Sequence, residues 1–244
     1  MKKVAAIFVT LLLSLLLSWQ AAWADAADAA KSPRFGSKDY IWGEMLPEQA
    51  EVMKLTGDPQ RGKEAFRGCR GCHKADAAGK TDGTYPRLTG QHASVIIKQV
   101  TEVRAGVRIN PKMDPFSSDH AVSPQEIADI AVFLAAAETT RESGKGEGDF
   151  VARGQELYEQ GKCVKCHGAN GEGNAVKVYP AIAAQHYGYL KREMDYIQRG
   201  VRGNSHPDMV NAIEYFTQRD IEAVADYLSR LPDHRQSLAE RKGK

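Results

Sequence analysis

The chain holds four cysteines in 244 residues, and all four fall in one repeated pattern: Cys69-Arg70-Gly71-Cys72-His73 and, 94 residues on, Cys163-Val164-Lys165-Cys166-His167. Two thiols three residues apart, followed at once by an imidazole, restrict the chemistry to a few forms. A dithiol redox motif belongs in a βαβ setting, and a four-cysteine zinc site holds its two pairs about 15–20 residues apart. No segment here supplies the first, and an offset of 94 residues excludes the second. The remaining form is covalent attachment of a c-type haem, in which both thiols add across the porphyrin vinyl groups and the histidine ligates the iron. Two haem c groups are therefore expected, attached at Cys69, Cys72, Cys163 and Cys166, with His73 and His167 on the irons. No cysteine is left over for a disulfide or a thiol nucleophile.

The opposite face of each iron needs its own ligand. A thioether is the common partner in electron-carrying haem proteins and raises the potential. Met113 lies 40 residues beyond His73, and Met209 lies 42 beyond His167. Both are expected in loops ahead of a closing helix, marked by Pro111 and Pro115 in one copy and by Pro207 in the other. Met194 aligns with Val100 on an apolar helical stripe and reads as core instead. His120 and His206 are the competitors, and bis-histidine ligation would lower the potential. They do not correspond at the repeat offset, so each reads as a loop residue. His92 and His186 do correspond, at the head of a helix, where they read as capping or packing groups. His234 lies in the polar tail.

The elements that must position these groups come as an internal repeat. Tyr85-Pro86 matches Tyr179-Pro180, Gln91-His92 matches Gln185-His186, and Gly106-Val107-Arg108 matches Gly200-Val201-Arg202, all at the same 94-residue offset. Each copy reads as three helices. Asp58 caps the first, with Pro59 at its opening position, and the counterpart begins near Asp149 and runs through Leu157. The middle helix carries Ile96, Val100 and Val103 on one stripe, or Leu190, Met194 and Ile197 in the second copy. Ser123-Pro124-Gln125-Glu126 is a capping box opening the third helix, whose stripe is Ile127, Ile130, Ala131 and Leu134. Thr217 opens its counterpart, with Ile221, Val224, Ala225 and Leu228. No segment sustains strand alternation, so the fold class is all-α. Glycine alternates with charge across 139–148, which reads as a short linker with nothing to bury.

The ends set the compartment. Lys2 and Lys3 precede an apolar run from Val4 to Trp19, and Ala22-Trp23-Ala24 supplies a small-x-small cleavage site, so residues 1–24 read as a signal peptide cleaved after Ala24. Removing Lys2 and Lys3 from the 33 basic residues leaves 31 against 31 acidic ones. That balance gives no basic stripe of the kind a nucleic-acid binder shows, and no later run is long enough to span a bilayer. The expected location is the periplasm, without stable membrane insertion once the signal is cleaved. Residues 25–57 read as an N-terminal extension with a short helix from Pro47 to Lys54, serving either as a strap on the first domain or as a docking segment.

Residues 58–232 resemble the cytochrome c4 family, tandem dihaem class I cytochromes c. The resemblance rests on both haem motifs, both Tyr-Pro pairs, the Gly-Val-Arg segments, the methionine segments and the closing helices. It implies two tandem class I cytochrome c domains, each a small helical fold around one haem, at 58–138 and 149–232, followed by a polar tail at 233–244. It also implies that the carbonyls of Pro86 and Pro180 orient the ligand histidines. Arg108 and Arg202 are candidates for the haem propionates, with surface salt bridging as the other reading. The implied function is one-electron transfer between redox protein partners, from a quinol-oxidising complex or a dehydrogenase to a terminal oxidase or reductase. Two alternatives stay open: a dihaem enzyme (a peroxidase or a thiosulfate-oxidising enzyme), and a cytochrome subunit held permanently by a dehydrogenase.

Overall fold

The computed structural model describes residues 44–138 and 140–233. The signal-peptide reading, the start of the extension and the tail from residue 234 lie outside the described residues. Among the described residues the structure is helical, apart from one isolated bridge between Asn174 and Tyr179.

Each domain is built on a leading helix that crosses a closing helix, with a middle helix laid against the closing one. In the first domain these are Pro59–Ala65, Ala93–Arg104 and Pro124–Ala136. In the second they are Val151–Gln160, Tyr187–Gln198 and Gln218–Arg230. The starts follow from local chemistry. The Asp58 carboxylate accepts from the amides of Gln60 and Arg61 at 2.7 and 3.0 Å. Ser123 with Glu126, and Thr217 with Asp220, each form a complete capping box, satisfying amides that have no partner inside the helix.

The leading and closing helices touch through backbone. A Cβ on Gly62 would stand 2.0 Å from the Asp129 carbonyl oxygen, and one on Gly154 would stand 2.0 Å from that of Ala223. Beside each crossing an aromatic pair fills the space, Phe66 with Phe133 at 5.6 Å and Tyr158 with Tyr227 at 5.7 Å. The apolar stripes then close two cores. Ile96, Ile127, Ile130, Ala131 and Leu134 join one, while Leu190, Met194, Ile197, Ile221, Val224 and Leu228 join the other. Met194 is thus a core residue. The extension contributes the helix Pro47–Val52, whose Val52 is fully buried in the first core.

The domains meet in a reciprocal seam. His92 Nε2 lies 2.8 Å from the carbonyl of Glu172, and His186 Nε2 lies 2.7 Å from that of Ala78. Neither ring caps the helix it precedes. Each reaches into the other domain instead, which the local sequence did not reveal. Arg108, read as a surface or propionate group, is buried in the seam. It donates to Gln99 at 2.6 Å, Tyr189 at 3.1 Å and Glu193 at 3.2 Å, and Arg202 reaches the same Glu193 oxygen at 2.9 Å. Burial alone would raise the Glu193 carboxyl, but Arg202 and Arg108 together hold it below the usual carboxylate range.

The segment 140–148 differs from a plain spacer. Ser143 is buried and donates to the Ser229 carbonyl at 2.6 Å. The Gly144 amide donates to His186 Nδ1 at 3.0 Å, and the amides of Gly146 and Gly148 donate to the Asp226 carboxylate at 2.9 and 2.7 Å. A Cβ on Gly144 would fall 1.8 Å from the Thr81 carbonyl oxygen, so glycine serves close approach there rather than flexibility. Asp233, assigned by sequence to the tail, is likewise buried and paired with Arg87.

Two outcomes follow for stability. Gly144→Ala forces backbone apart at the seam and should cost about 1–3 kcal/mol, read from chemical denaturation of the holoprotein. The His186 ring is pushed down, first by burial and further by Arg87, against the Ala78 carbonyl. A histidine whose folded pKa is depressed stabilises fully above its unfolded value, ~6.5, and loses that contribution as pH falls below it. Denaturation midpoints should therefore drop on acidification through this range, and the drop should shrink in His186→Gln.

Candidate haem sites

Each Cys-x-x-Cys-His segment folds into a single helical turn, Arg70–His73 and Val164–His167. Positions i, i+3 and i+4 of a helical turn share a face, and in the second motif Cys163, Cys166 and His167 line one cavity. Cys69 packs against the first core and Cys163 against the second. Burial pushes the Cys69 thiol up to about 11 and also raises Cys163. A buried, uncharged thioether suits these two positions better than a thiolate.

The histidines are held alike in both copies. His73 Nδ1 lies 3.3 Å from the Pro86 carbonyl oxygen, and His167 Nδ1 lies 3.0 Å from that of Pro180. A carbonyl can only accept, so Nδ1 carries the proton and Nε2 is left with its lone pair. Burial lowers the pKa of both rings, favouring the neutral form that can bind iron. The tyrosine before the proline braces the first motif: the Tyr85 ring meets His73 edge-on at 6.1 Å.

A cavity of about 640 Å³ opens beside the second motif, within the ~300–1,000 Å³ typical of sites that bury most of a ligand. Cys163, Cys166 and His167 line it together with Met209, Leu190, Ile197 and Phe216. Toward the seam its lining turns polar, with Arg87, Lys98 and Arg202 beside Glu102 and Glu193. The apolar body fits a flat macrocycle, and Arg87, Lys98 and Arg202, each paired with a carboxylate, make the other end of the cavity polar.

The methionine segments differ from the expected loops. Met209 sits inside a short helix, Pro207–Ile213, and Met113 immediately precedes another, Asp114–Ser117. Proline at each helix start and Asp208 or Asp114 in the first turn favour that conformation. Met209 packs on the second core and faces the same cavity as His167. Met113 is half-buried, and its neighbour Lys112 stands 5.8 Å over the Tyr85 ring that contacts His73. His206 caps its helix, Nδ1 accepting from the Asp208 amide at 2.8 Å, and His120 is exposed.

One positioning device was missed by sequence reasoning. Arg104 closes the middle helix of the first domain and donates to the Ser117 carbonyl at 2.6 Å and to that of Val122. It also pairs with Glu48 of the extension and with Asp119 at 2.9 Å. Gln198 occupies the equivalent place and donates to the carbonyls of Ile213, Glu214 and Phe216 at 2.8, 3.3 and 2.7 Å. Both side chains pin the segment that follows the methionine. Because one is arginine and the other glutamine, repeat matching does not flag them.

Comparison with known proteins agrees with this geometry. The Cytochrome c family model matches residues 59–138 and 151–232. Cytochrome c4 of Thiocapsa roseopersicina is 30% identical over 186 residues, covering 72% of this chain and 94% of the relative. The chain belongs to the cytochrome c4 family. A thiosulfate dehydrogenase electron acceptor of Stutzerimonas stutzeri strain A1501 is 32% identical over 176 residues, covering 68% of this chain and 80% of the relative. Among solved structures, reduced recombinant cytochrome c4 from Pseudomonas stutzeri shares the fold with a TM-score of 0.66 at 24% identity, covering 72% of this chain and all of that one. As a cytochrome c4 family member, the chain carries two covalently bound haem c groups and functions in electron transfer. The extension helix Pro47–Val52 precedes the matched residues and is an addition to the matched cytochrome c domains.

Removing the Arg104 guanidinium leaves the Ser117 and Val122 carbonyls short of a donor, at about 1–3 kcal/mol for a buried group left unsatisfied. Arg104→Ala should lower the denaturation midpoint, while Arg104→Gln, which copies Gln198, should recover most of it.

Proposed function

We propose that this chain is an exported one-electron carrier of the periplasm, cleaved after Ala24, with His73 and Met113 on one haem iron and His167 and Met209 on the other. The observation that supports this best is the shared setting of the histidines, each tied through Nδ1 to a prolyl carbonyl with Nε2 left to bind. Haem c supplies a ferric/ferrous couple that takes one electron at a time. Around it, the chain fixes the imidazole orientation, presents Met209 to the cavity, and excludes water with Leu190, Ile197 and Phe216. The Pro86 and Pro180 carbonyls make the imidazoles more basic by accepting from Nδ1, the usual way an outer hydrogen bond tunes a metal ligand.

With both axial positions taken by the protein, no position is open for substrate, and the chain acts as a carrier rather than an enzyme. Its donor and acceptor are redox proteins: a dehydrogenase or quinol-oxidising complex on one side, a terminal oxidase or reductase on the other. The name of the Stutzerimonas stutzeri relative, a thiosulfate dehydrogenase electron acceptor, favours a dehydrogenase as donor. Carriers of this kind use small, transient interfaces, commonly below ~1,200 Å². No helix among the described residues is long and apolar enough to cross a membrane.

The test is optical and magnetic spectroscopy of the holoprotein with a redox titration. Both ferric haems should show the near-infrared methionine–iron band. Met113→Ala should abolish it for one haem, lower that potential and leave the other near its original value, with Met209→Ala doing the reverse. A high-spin ferric signal in the unsubstituted protein would overturn the carrier reading in favour of an enzyme.

A further inference from the structure

The peptide group joining Pro86 to Arg87 is engaged at both ends by different domains. Its carbonyl receives His73 Nδ1–H, and its N–H donates to Gln185 Oε1 of the second domain at 2.9 Å. The peptide joining Pro180 to Ala181 repeats the arrangement. Its carbonyl receives His167 Nδ1–H, and its N–H donates to Gln91 Oε1 of the first domain at 3.0 Å. Each glutamine closes a second bond, Gln185 Nε2 to the Arg87 carbonyl at 2.9 Å and Gln91 Nε2 to that of Ala181 at 2.8 Å. Each Oε1 also accepts the amide of the following histidine, at 3.0 Å in both copies. Gln91, Gln185, Arg87 and Ala181 are all buried.

We propose that Gln91 and Gln185 are positioning residues acting across the seam, each setting the basicity of the haem-ligating histidine in the opposite domain. The inference rests on the reading of His73 and His167 as iron ligands. Its physical basis is polarisation along a hydrogen-bonded chain. A peptide whose N–H is donating carries a larger carbonyl dipole, and linked bonds strengthen one another by perhaps 10–30%. The carbonyl then pulls harder on Nδ1–H, the imidazole becomes a stronger donor at Nε2, and ferric iron is favoured. The potential of each haem is thereby coupled to the docking of the other domain, with a single peptide group between the ligand and the foreign side chain. The cross-domain histidine contacts do not reach the ligand rings: the peptides they engage donate, through Gly173 and Gly79, to the backbone carbonyls of His167 and His73 and not to Nδ1.

The experiment is a redox titration of the holoprotein with each haem assigned by its NMR hyperfine shifts. Gln185→Met keeps the volume and removes the acceptor. It should raise the potential of the first-domain haem by roughly two- to tenfold in the reduction equilibrium, tenfold being about 59 mV for one electron. The second-domain haem should move less, and the His73 Nδ1–H resonance should shift upfield. Gln91→Met should give the mirror image, with the effect on the second-domain haem and His167, and either variant decides the question by itself. A larger shift on the haem of the substituted domain, equal shifts on both, or none would overturn the proposal. Arg192→Met loosens the same seam, removing a 2.8 Å bond to the Gly83 carbonyl without touching either peptide. It should move both haems together or neither, and a crossed pattern there would reduce the glutamines to structural glue. The ligand reading is checked independently by the hyperfine-shifted imidazole resonances of His73 and His167 in the unsubstituted protein. If these are present without a crossed shift, only the relay fails; if they are missing, the ligand reading fails.

Discussion

An imidazole has two nitrogens, and a haem site can use only one. The bond from Nδ1 to a prolyl carbonyl thirteen residues further along decides which, and much of each domain serves to make that bond possible. The motif must form a helical turn so that the ring leaves on the side of the sulfurs. The Tyr-Pro pair must return beneath it, which in the first domain sets Tyr85 edge-on to the His73 ring. Proline suits the position because it lacks an N–H of its own while still offering a carbonyl. In the second domain the middle helix and the segment around Met209 line the cavity beside the motif.

What was legible in the sequence is what short-range chemistry writes there. The Cys-x-x-Cys-His spacing, the capping boxes at Ser123 and Thr217, and the stripes ending in Leu134 and Leu228 depend on neighbours within about one or two helical turns. They read off the chain directly. What was not legible depends on partners far away in sequence. Arg104 and Gln198 do the same work with different side chains, so an identity-based repeat search passes over them. The stretch from Arg141 to Gly148 has the composition of a spacer, yet its backbone amides are taken up by Asp226 and His186. Glycine there permits contact, and composition alone cannot distinguish contact from freedom. The Gln-His pairs were visible as a repeat, but their meaning lay in the opposite copy.

The seam is polar where a permanent interface would usually be apolar. Arg108, Arg202, Glu193, Glu102 and Asn204 line it: Arg108 bonds Tyr189 and Glu193 across it and Asn204 bonds Glu102 across it, while Arg202 bonds Glu193 within the second domain. Buried charge contributes little net stability, yet breaking one partner is costly. An interface of this composition holds one register and tolerates few others. Fixed geometry between two electron-carrying centres matters more than tight binding when the domains are already joined by the chain.

Arg87 gives this architecture a consequence in time. Its buried carboxylate partner, Asp233, comes 146 residues later, just beyond the second closing helix. The first core draws on residues between Val52 and Leu134 alone, whereas the pairing of Arg87 with Asp233 requires the chain beyond the second closing helix. Closing this edge is thus reserved for a chain made through Asp233, and a product cut before the second closing helix would carry an unfinished edge.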